Sequence, residues 1–392
     1  MNKNIFVFGL GYVGMSLATL FATNHTVYAF DIDPKKVNQV RNKKSTVLDA
    51  DIQTFLDTKN LNLTAVDEPG MALREADYVL VCTPTNFDIQ TQQFDTSSVD
   101  HCVMQAINAS KKSKIIVKST IPIGHTAELQ KKLDTDRIAF CPEFLQEGTA
   151  LRDNLRPERI VVGSHKKYHD ELSELFLSIC ADKRVPLIHV ETTEAEAVKL
   201  FANSFLAMRI AFFNELDSYA FKTGLDASQI IKAISCDARI GNYYNNPSFG
   251  FGGYCLPKDV SQLEYEVSNK ARQTSPIISS IRNSNDARKK AIINYILRQN
   301  ITTVGIYRLS MKQDSDNFRE AAVFDIMQEL ISCDHKVLIY EPSITEKVYG
   351  TYHVESDFDL FVKKVDLIIA NRTSSELSGI DKVLTRDIFG TN

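Results

Sequence analysis

Residues 245–259 read NNPSFGFGGYCLPKD. Gly250, Gly252 and Gly253 allow the backbone to come close to a ligand, and Pro257 suits the first turn of a helix. Cys255 then falls at or just before a helix N-terminus. A thiol in that position ionises more readily, Lys258 adds positive charge, and the thiolate is the nucleophilic form. The local pattern leaves both a reactive thiol and a small buried one open. A second constellation is Gly9-Leu10-Gly11-Tyr12-Val13-Gly14, the spacing G-x-G-x-x-G. A third is Lys199 and Asn203, four apart in a run with helical signals and so on one face. A cleft-facing pair and a solvated surface pair both fit that spacing.

The elements around the glycines give them context. Residues 4–8 (NIFVF) read as a buried strand, 9–14 as a turn, 13–23 as an apolar helix and 26–30 (TVYAF) as a second strand ending at Asp31. That order is the dinucleotide-binding fingerprint. Gly9 permits the tight turn, Gly11 lets the backbone approach a pyrophosphate, and Gly14 lets helix and strand pack closely. The helix N-terminus offers N–H groups to phosphates. Asp31 suits a ribose diol and repels a 2′-phosphate, which favours NAD over NADP; Lys35 and Lys36 weaken that preference. Residues 77–82, 114–118, 137–140 and 159–162 read as further strands. Thr83, Thr120 and Glu143 fall at strand ends, where ligands of an open α/β sheet gather.

Residues 192 to about 221 read as one long helix, a rod of roughly 45 Å. Thr193 and Glu196 have capping-box spacing. Val198, Phe201, Phe205, Ile210, Phe212 and Phe213 exceed one narrow stripe, which predicts burial on several sides and a domain or subunit interface. A second strand–loop–helix–strand run follows: strand 302–307, helix 316–331, strand 336–340 ending at Glu341, and strand 366–370. It lacks the glycine motif. Its first loop carries Arg308, Lys312, Asp316, Asn317 and Arg319, a basic loop able to meet phosphates or a uracil ring. The reading is α/β, with two Rossmann-like domains joined by a central all-α region containing one long helix. The expected boundaries are 1–191, 192–298 and 299–392.

Composition limits the alternatives. The 392 residues carry a formal charge of −4, with 44% hydrophobic and 24% charged residues, a globular mix without the basic excess of a nucleic-acid binder. Residues 4–25 lack acids and strong bases and superficially resemble a signal peptide, but three glycines break the run and no small-residue cleavage site follows. No other stretch is long and apolar enough to span a membrane. Seven cysteines without C-x-x-C spacing suggest neither disulfides nor structural zinc, and point to the cytoplasm. His165 and His169 are four apart, but no further ligand pattern completes a metal site, so no metal is expected.

Assembled, these segments resemble the UDP-glucose/GDP-mannose dehydrogenase family over essentially the full length. The matching motifs are GLGYVG, CTPTN (82–86), KSTIPIG (118–124), PEFL (142–145), EAEAVKLFAN (194–203), GFGGYCLPKD (250–259) and DNFRE (316–320). The resemblance implies an NAD-dependent, four-electron nucleotide-sugar dehydrogenase oxidising UDP-glucose to UDP-glucuronate. GDP-mannose and UDP-N-acetylmannosamine are the alternative substrates. It implies Cys255 as nucleophile, with Lys199, Asn203 and Asp259 holding the reacting oxygen and a water, Thr120 and Glu147 beside that water, and Glu143 as a further acid. Gly9, Gly11, Tyr12, Val13, Gly14, Asp31, Lys36, Thr83, Thr120, Glu147, Lys258 and Arg319 are implied at the cofactor. Phe144, Leu145, Lys199, Asn203, Tyr244, Asn245, Ser248 and Gly252 are implied around the sugar, and Tyr307, Arg308 and Lys312 at the nucleotide. Arg239 matches an arginine offered to a neighbouring subunit, in a homodimer built on the central helices. Gln146 stands where many relatives carry arginine.

Overall fold

The computed structural model describes residues 2–309 and 321–390. Lys312, Arg319 and the start of the helix expected at 316 lie outside the described residues. Two compact units divide the chain, Met1–Phe201 and Ala202–Asn392.

In the first unit the strands are β1 (Asn4–Phe8), β2 (Thr26–Phe30), β3 (Leu63–Ala65), β4 (Tyr78–Val81), a small hairpin of β5 (Phe87–Asp88) and β6 (Gln93–Phe94), β7 (Lys114–Val117), β8 (Ile138–Phe140), β9 (Ile160–Gly163) and β10 (Leu187–Val190). The eight-stranded sheet runs β10-β9-β8-β7-β4-β1-β2-β3. Leaving out the hairpin, β3-β2-β1-β4-β7-β8 is the 3-2-1-4-5-6 order of a dinucleotide-binding sheet. Strand β9 joins antiparallel to β8; the other pairings in this sheet are parallel. Helices α1 (Tyr12–Phe21), α2 (Pro34–Arg41), α3 (Ala50–Thr58), α4 (Gly70–Glu75), α5 (Ser97–Ala109), α6 (His125–Lys132), α7 (Ala150–Leu155) and α8 (His169–Ile179) complete the unit. Strand β1 shows why no polar residue interrupts it. Ile5 and Val7 enter one core cluster and Phe6 and Phe8 the other, so both faces of the sheet are covered.

Helix α9 (Thr192–Thr223) begins in the first unit and ends in the second. The second unit continues with α10 (Ala227–Ser235), α11 (Leu256–Tyr265), α12 (Pro276–Leu297), β11 (Thr303–Tyr307), α13 (Ala322–Ser332), β12 (Lys336–Tyr340), β13 (Val348–Tyr349), β14 (Tyr352–Val354), α14 (Phe358–Lys364), β15 (Leu367–Ala370) and β16 (Val383–Thr385). Its sheet runs β13-β14-β12-β11-β15-β16, with β13–β14 antiparallel. The expected mixed α/β fold, with parallel sheets at both ends of the chain and a helical middle, is the observed one.

Two local expectations change. Glu196 does not close a capping box on Thr193. Its buried carboxylate accepts from Gly124 N at 2.5 Å and Thr126 N at 2.8 Å, and so caps the start of α6. Burial raises the Glu196 pKa, and these hydrogen bonds oppose the rise. The α9 aromatics also divide: Phe213 is buried, as expected, but Phe201, Phe205 and Phe212 are not. Ala207 and Ala211 face the core, whereas Phe205 (55%), Phe212 (59%) and Tyr219 (64%) are exposed at seven-residue spacing, one stripe down the helix. Among the described residues, no helix is long and apolar enough to cross a membrane.

Candidate active site

The first sheet reverses order between β1 and β4, and the glycine loop leaves β1 at that point. Each glycine is required for a different reason. Gly9 has φ 86° and a Cβ there would lie 2.7 Å from the Cys82 carbonyl oxygen. A Cβ on Gly14 would lie 1.8 Å from the Gly9 oxygen, while one on Gly11 would meet nothing within 4 Å. The backbone at Gly11 is thus open to a ligand, and no side chain caps the first turn of α1, where Tyr12 and Val13 are half-buried. Asp31 locks this loop. Its Oδ2 accepts from Leu10 N at 2.7 Å and from Lys36 Nζ at 3.4 Å, and its Oδ1 accepts from Asp33 N at 2.9 Å. A carboxylate accepts about four hydrogen bonds, so capacity remains for a ribose hydroxyl. Ile32 follows, 92% exposed, an apolar surface beside that acid. These residues fit a dinucleotide. Gly14→Ala is expected to overpack the turn at the upper end of ~1–3 kcal/mol, and to abolish detectable NAD binding by calorimetry.

The ends of β4 and β7 are tied together. Ser98 Oγ donates to Thr83 Oγ1 at 3.1 Å, Ser119 Oγ to the Thr83 oxygen at 2.6 Å, and Thr85 Oγ1 to the Thr120 oxygen at 2.6 Å. After β8, Glu143 is held by the buried Lys118 ammonium at 3.2 Å and by Phe144 N at 3.1 Å. Asn154, with its amide turned to satisfy both neighbours, donates to both Glu143 oxygens and accepts from Ser16 Oγ at 2.9 Å. Lys199 Nζ donates to the Glu143 carbonyl oxygen and lies 5.4 Å from the Phe144 ring centroid. Leu145 and Glu147 are half-buried in the same loop. The sequence assigns no role to Lys118 or Asn154. A lysine ending an apolar strand was the signal available for the first; nothing local marks the second.

In the second unit, Cys255 is the N-cap of α11 with Pro257 in its first turn, as the sequence predicts. The Cys255 side chain is exposed and forms no disulfide. Behind it, Lys258 and Asp259 form a buried ion pair at 2.8 Å, their side chains 3% and 1% exposed. Asn203 Nδ2 donates to the other Asp259 oxygen at 2.5 Å. Burial pulls the Lys258 ammonium down, but attraction to Asp259, Cys255 and Tyr254 overrides it and leaves the pKa above the ordinary lysine value. The other thiols differ. Burial pushes Cys82 and Cys102 up to about 12 and Cys141 to about 11. Iodoacetamide at pH 8 is therefore expected to label Cys255 and the exposed Cys236 and Cys333, leaving Cys82, Cys102 and Cys141 unmodified in a peptide map.

The loop before Cys255 is built from polar side chains turned inward. Asn245 donates to Ser235 Oγ and Asn242 Oδ1, both at 2.7 Å, and Ser248 N donates to Asn214 Oδ1 at 2.8 Å. Tyr244 has φ 48°, a strained value for a bulky residue, while Gly252 is half-buried. Arg239 points outward, 89% exposed and paired only with Asp237 among the described salt bridges. In the second sheet, Tyr307 stacks on Tyr340 at 5.7 Å and donates to Glu376, and Arg308 pairs with Glu376 at 3.4 Å. Glu341 repeats the role of Asp31: its Oε2 accepts from Leu309 N at 2.9 Å. Among the described residues, no cluster of three or more His, Cys, Asp or Glu could hold a metal ion.

Family models match along the chain: the NAD binding domain of the UDP-glucose/GDP-mannose dehydrogenase family at residues 3–179, its central domain at 193–287 and its UDP binding domain at 305–389. The chain belongs to the UDP-glucose/GDP-mannose dehydrogenase family. It is 43% identical to a UDP-glucose 6-dehydrogenase of Campylobacter jejuni, covering 99% of both chains. It is 42% identical to one of Streptococcus pneumoniae, covering 98% of this chain and 99% of that one. A solved UDP-glucose dehydrogenase from Pyrobaculum islandicum superposes with TM-score 0.86 at 25% identity, over 97% of this chain and 92% of that one. As a member of this family, the chain uses NAD as its cofactor.

Proposed function

We propose that this chain is a UDP-glucose 6-dehydrogenase, converting the C6 alcohol of UDP-glucose into the carboxylate of UDP-glucuronate. The observation that carries the reading is an exposed Cys255 at a helix N-terminus beside the buried Lys258–Asp259–Asn203 cluster. The near-full-length likeness to proteins of that name supports it. The work divides among residues 1–191 for NAD, 192–298 for the nucleophile and dimerisation, and 299–392 for the nucleotide.

NAD+, held by Gly9, Gly11, Tyr12, Val13, Gly14, Asp31, Lys36, Thr83, Lys258 and Arg319, supplies the hydride acceptor for each of two oxidations. The chain's own groups do the rest. Lys199, or a water on Lys199 and Asp259, takes the C6 hydroxyl proton. The Cys255 sulfur adds to the aldehyde carbon, and the carbonyl oxygen gains a proton as the thiohemiacetal forms. The second oxidation leaves a thioester. Water oriented by Glu147 and Thr120 adds to it, breaks the C–S bond and regenerates the Cys255 thiolate. Covalent capture keeps the aldehyde from escaping. Lys199 and Asn203 stabilise the oxyanion at C6, with Glu143 as a further acid of the site. Phe144, Leu145, Tyr244, Asn245, Ser248 and Gly252 enclose the glucose, and Tyr307, Arg308 and Lys312 hold the uridine diphosphate.

The enzyme acts in the cytoplasm as a homodimer through its central helices. The exposed stripe of Phe205, Phe212 and Tyr219 supports that face, and the outward Arg239 supports a residue shared with the partner's substrate. The substrate assignment is tested on a panel of nucleotide sugars. UDP-glucose is expected to exceed GDP-mannose and UDP-N-acetylmannosamine by at least about tenfold in kcat/KM, since a site built on hydrogen bonds rejects mismatched polar groups strongly. A higher kcat/KM on either rival would overturn it.

A further inference from the structure

The segment that leads to Cys255 is fastened by residues about 140 positions later in the same unit. Asn246, buried in that loop, donates from Nδ2 to Asp387 Oδ1 at 2.6 Å. In return, Asn246 Oδ1 accepts from Ile388 N at 3.0 Å and Phe389 N at 3.2 Å. Asp387 follows β16, and its second oxygen accepts from Thr373 N at 2.8 Å and Thr373 Oγ1 at 2.9 Å, beyond the end of β15. The same C-terminal segment is anchored to α9: Arg386 Nε donates to Asp217 Oδ2 at 2.9 Å. Asp217 also holds Arg288, whose Nε donates to the Ser248 oxygen at 2.9 Å, back in the cysteine loop. Asp217 and Arg288 are buried, and Ile388 and Phe389 pack on the cluster of Phe213, Ala220, Ala227 and Ile231.

We propose that Asn246 and Asp387 are a positioning pair, through which the C-terminal sheet sets the register of the cysteine loop. The inference rests on the reading of Cys255 as nucleophile toward a nucleotide sugar. Such a substrate is gripped at its nucleotide end by the C-terminal domain and attacked at its sugar end by Cys255. The spacing between grip and sulfur must then be fixed. The Asn246–Asp387 clasp fixes it, because one partner belongs to each element and both are buried and fully engaged.

Three variants test this: Asn246→Ala, Asp387→Ala, and the exchange N246D/D387N. Position 246 as a carboxylate still accepts from Ile388 N and Phe389 N, and an amide at 387 returns the central hydrogen bond with its direction reversed, losing only the hydrogen bond from Gly390 N to Asp387 Oδ1. Each single variant is expected to lose about 10- to 100-fold in kcat, the scale of a misplacement near 1 Å, with the KM for NAD+ within about twofold of wild type. The exchange is expected to be at least about fivefold faster than either single variant. Single variants with wild-type kcat overturn the proposal. So does an exchange variant that melts like wild type yet stays as slow as the singles, and this arm also covers singles that do not fold. A wild-type enzyme that makes no UDP-glucuronate would defeat the underlying reading instead.

Discussion

Replacing Cys255 by alanine is expected to reduce UDP-glucuronate formation by at least about 10³-fold, the scale of losing a catalytic nucleophile, while NAD binding stays at wild-type affinity. The sulfur is the one atom in the scheme that forms and breaks a bond to C6. Cys82, Cys102 and Cys141, held high by burial, are poor nucleophiles. The proposed NAD contacts do not include the Cys255 sulfur, and Asp31 holds the Gly9–Gly14 loop through Leu10 N, far along the chain from it. Alanine removes no charge from the Lys258–Asp259 pair, so the fold is retained. Mass spectrometry of the product together with calorimetry of NAD binding checks both halves. Undiminished acid production by the variant would end the covalent scheme.

Lys258→Met is expected to be the most damaging single change to stability. It strands the Asp259 carboxylate, 1% exposed, with Asn203 as its remaining described hydrogen-bond partner. Breaking one side of a buried ion pair costs about 3–5 kcal/mol. The sign of its pH dependence follows from the raised Lys258 pKa. The contribution is fully present below the unfolded value of 10.5 and is lost only as pH rises through the higher folded value. Denaturant midpoints at pH 7 and pH 9 should therefore show the same deficit. Iodoacetamide labelling of Cys255 should also need a higher pH in the variant, because Lys258 attracts the negative sulfur. A variant as stable as wild type would show that the pair contributes nothing.

Much of this was legible in the chain because it is local. Strands 4–8, 26–30 and 336–340 have their expected bounds, since alternating faces of an unbroken apolar run admit one reading. The place of Cys255 before a proline-started helix followed from Pro257 alone. What the sequence hid is long-range pairing. Glu196 reads as a cap for its own helix, yet the fold brings α6 to it from seventy positions earlier. The clasps of Lys118 on Glu143 and of Asp387 on Asn246 are likewise choices made by topology. Phe205 and Phe212 of α9 look like core by composition, but Ala207, Ala211 and Phe213 take the buried face instead.

The yield of NADH per molecule of UDP-glucose consumed to completion tests the central claim most directly. Two oxidations at one carbon, joined through Cys255, predict two NADH for each UDP-glucuronate formed, with no aldehyde in solution. A yield of one NADH, with the sugar left as aldehyde, would contradict it.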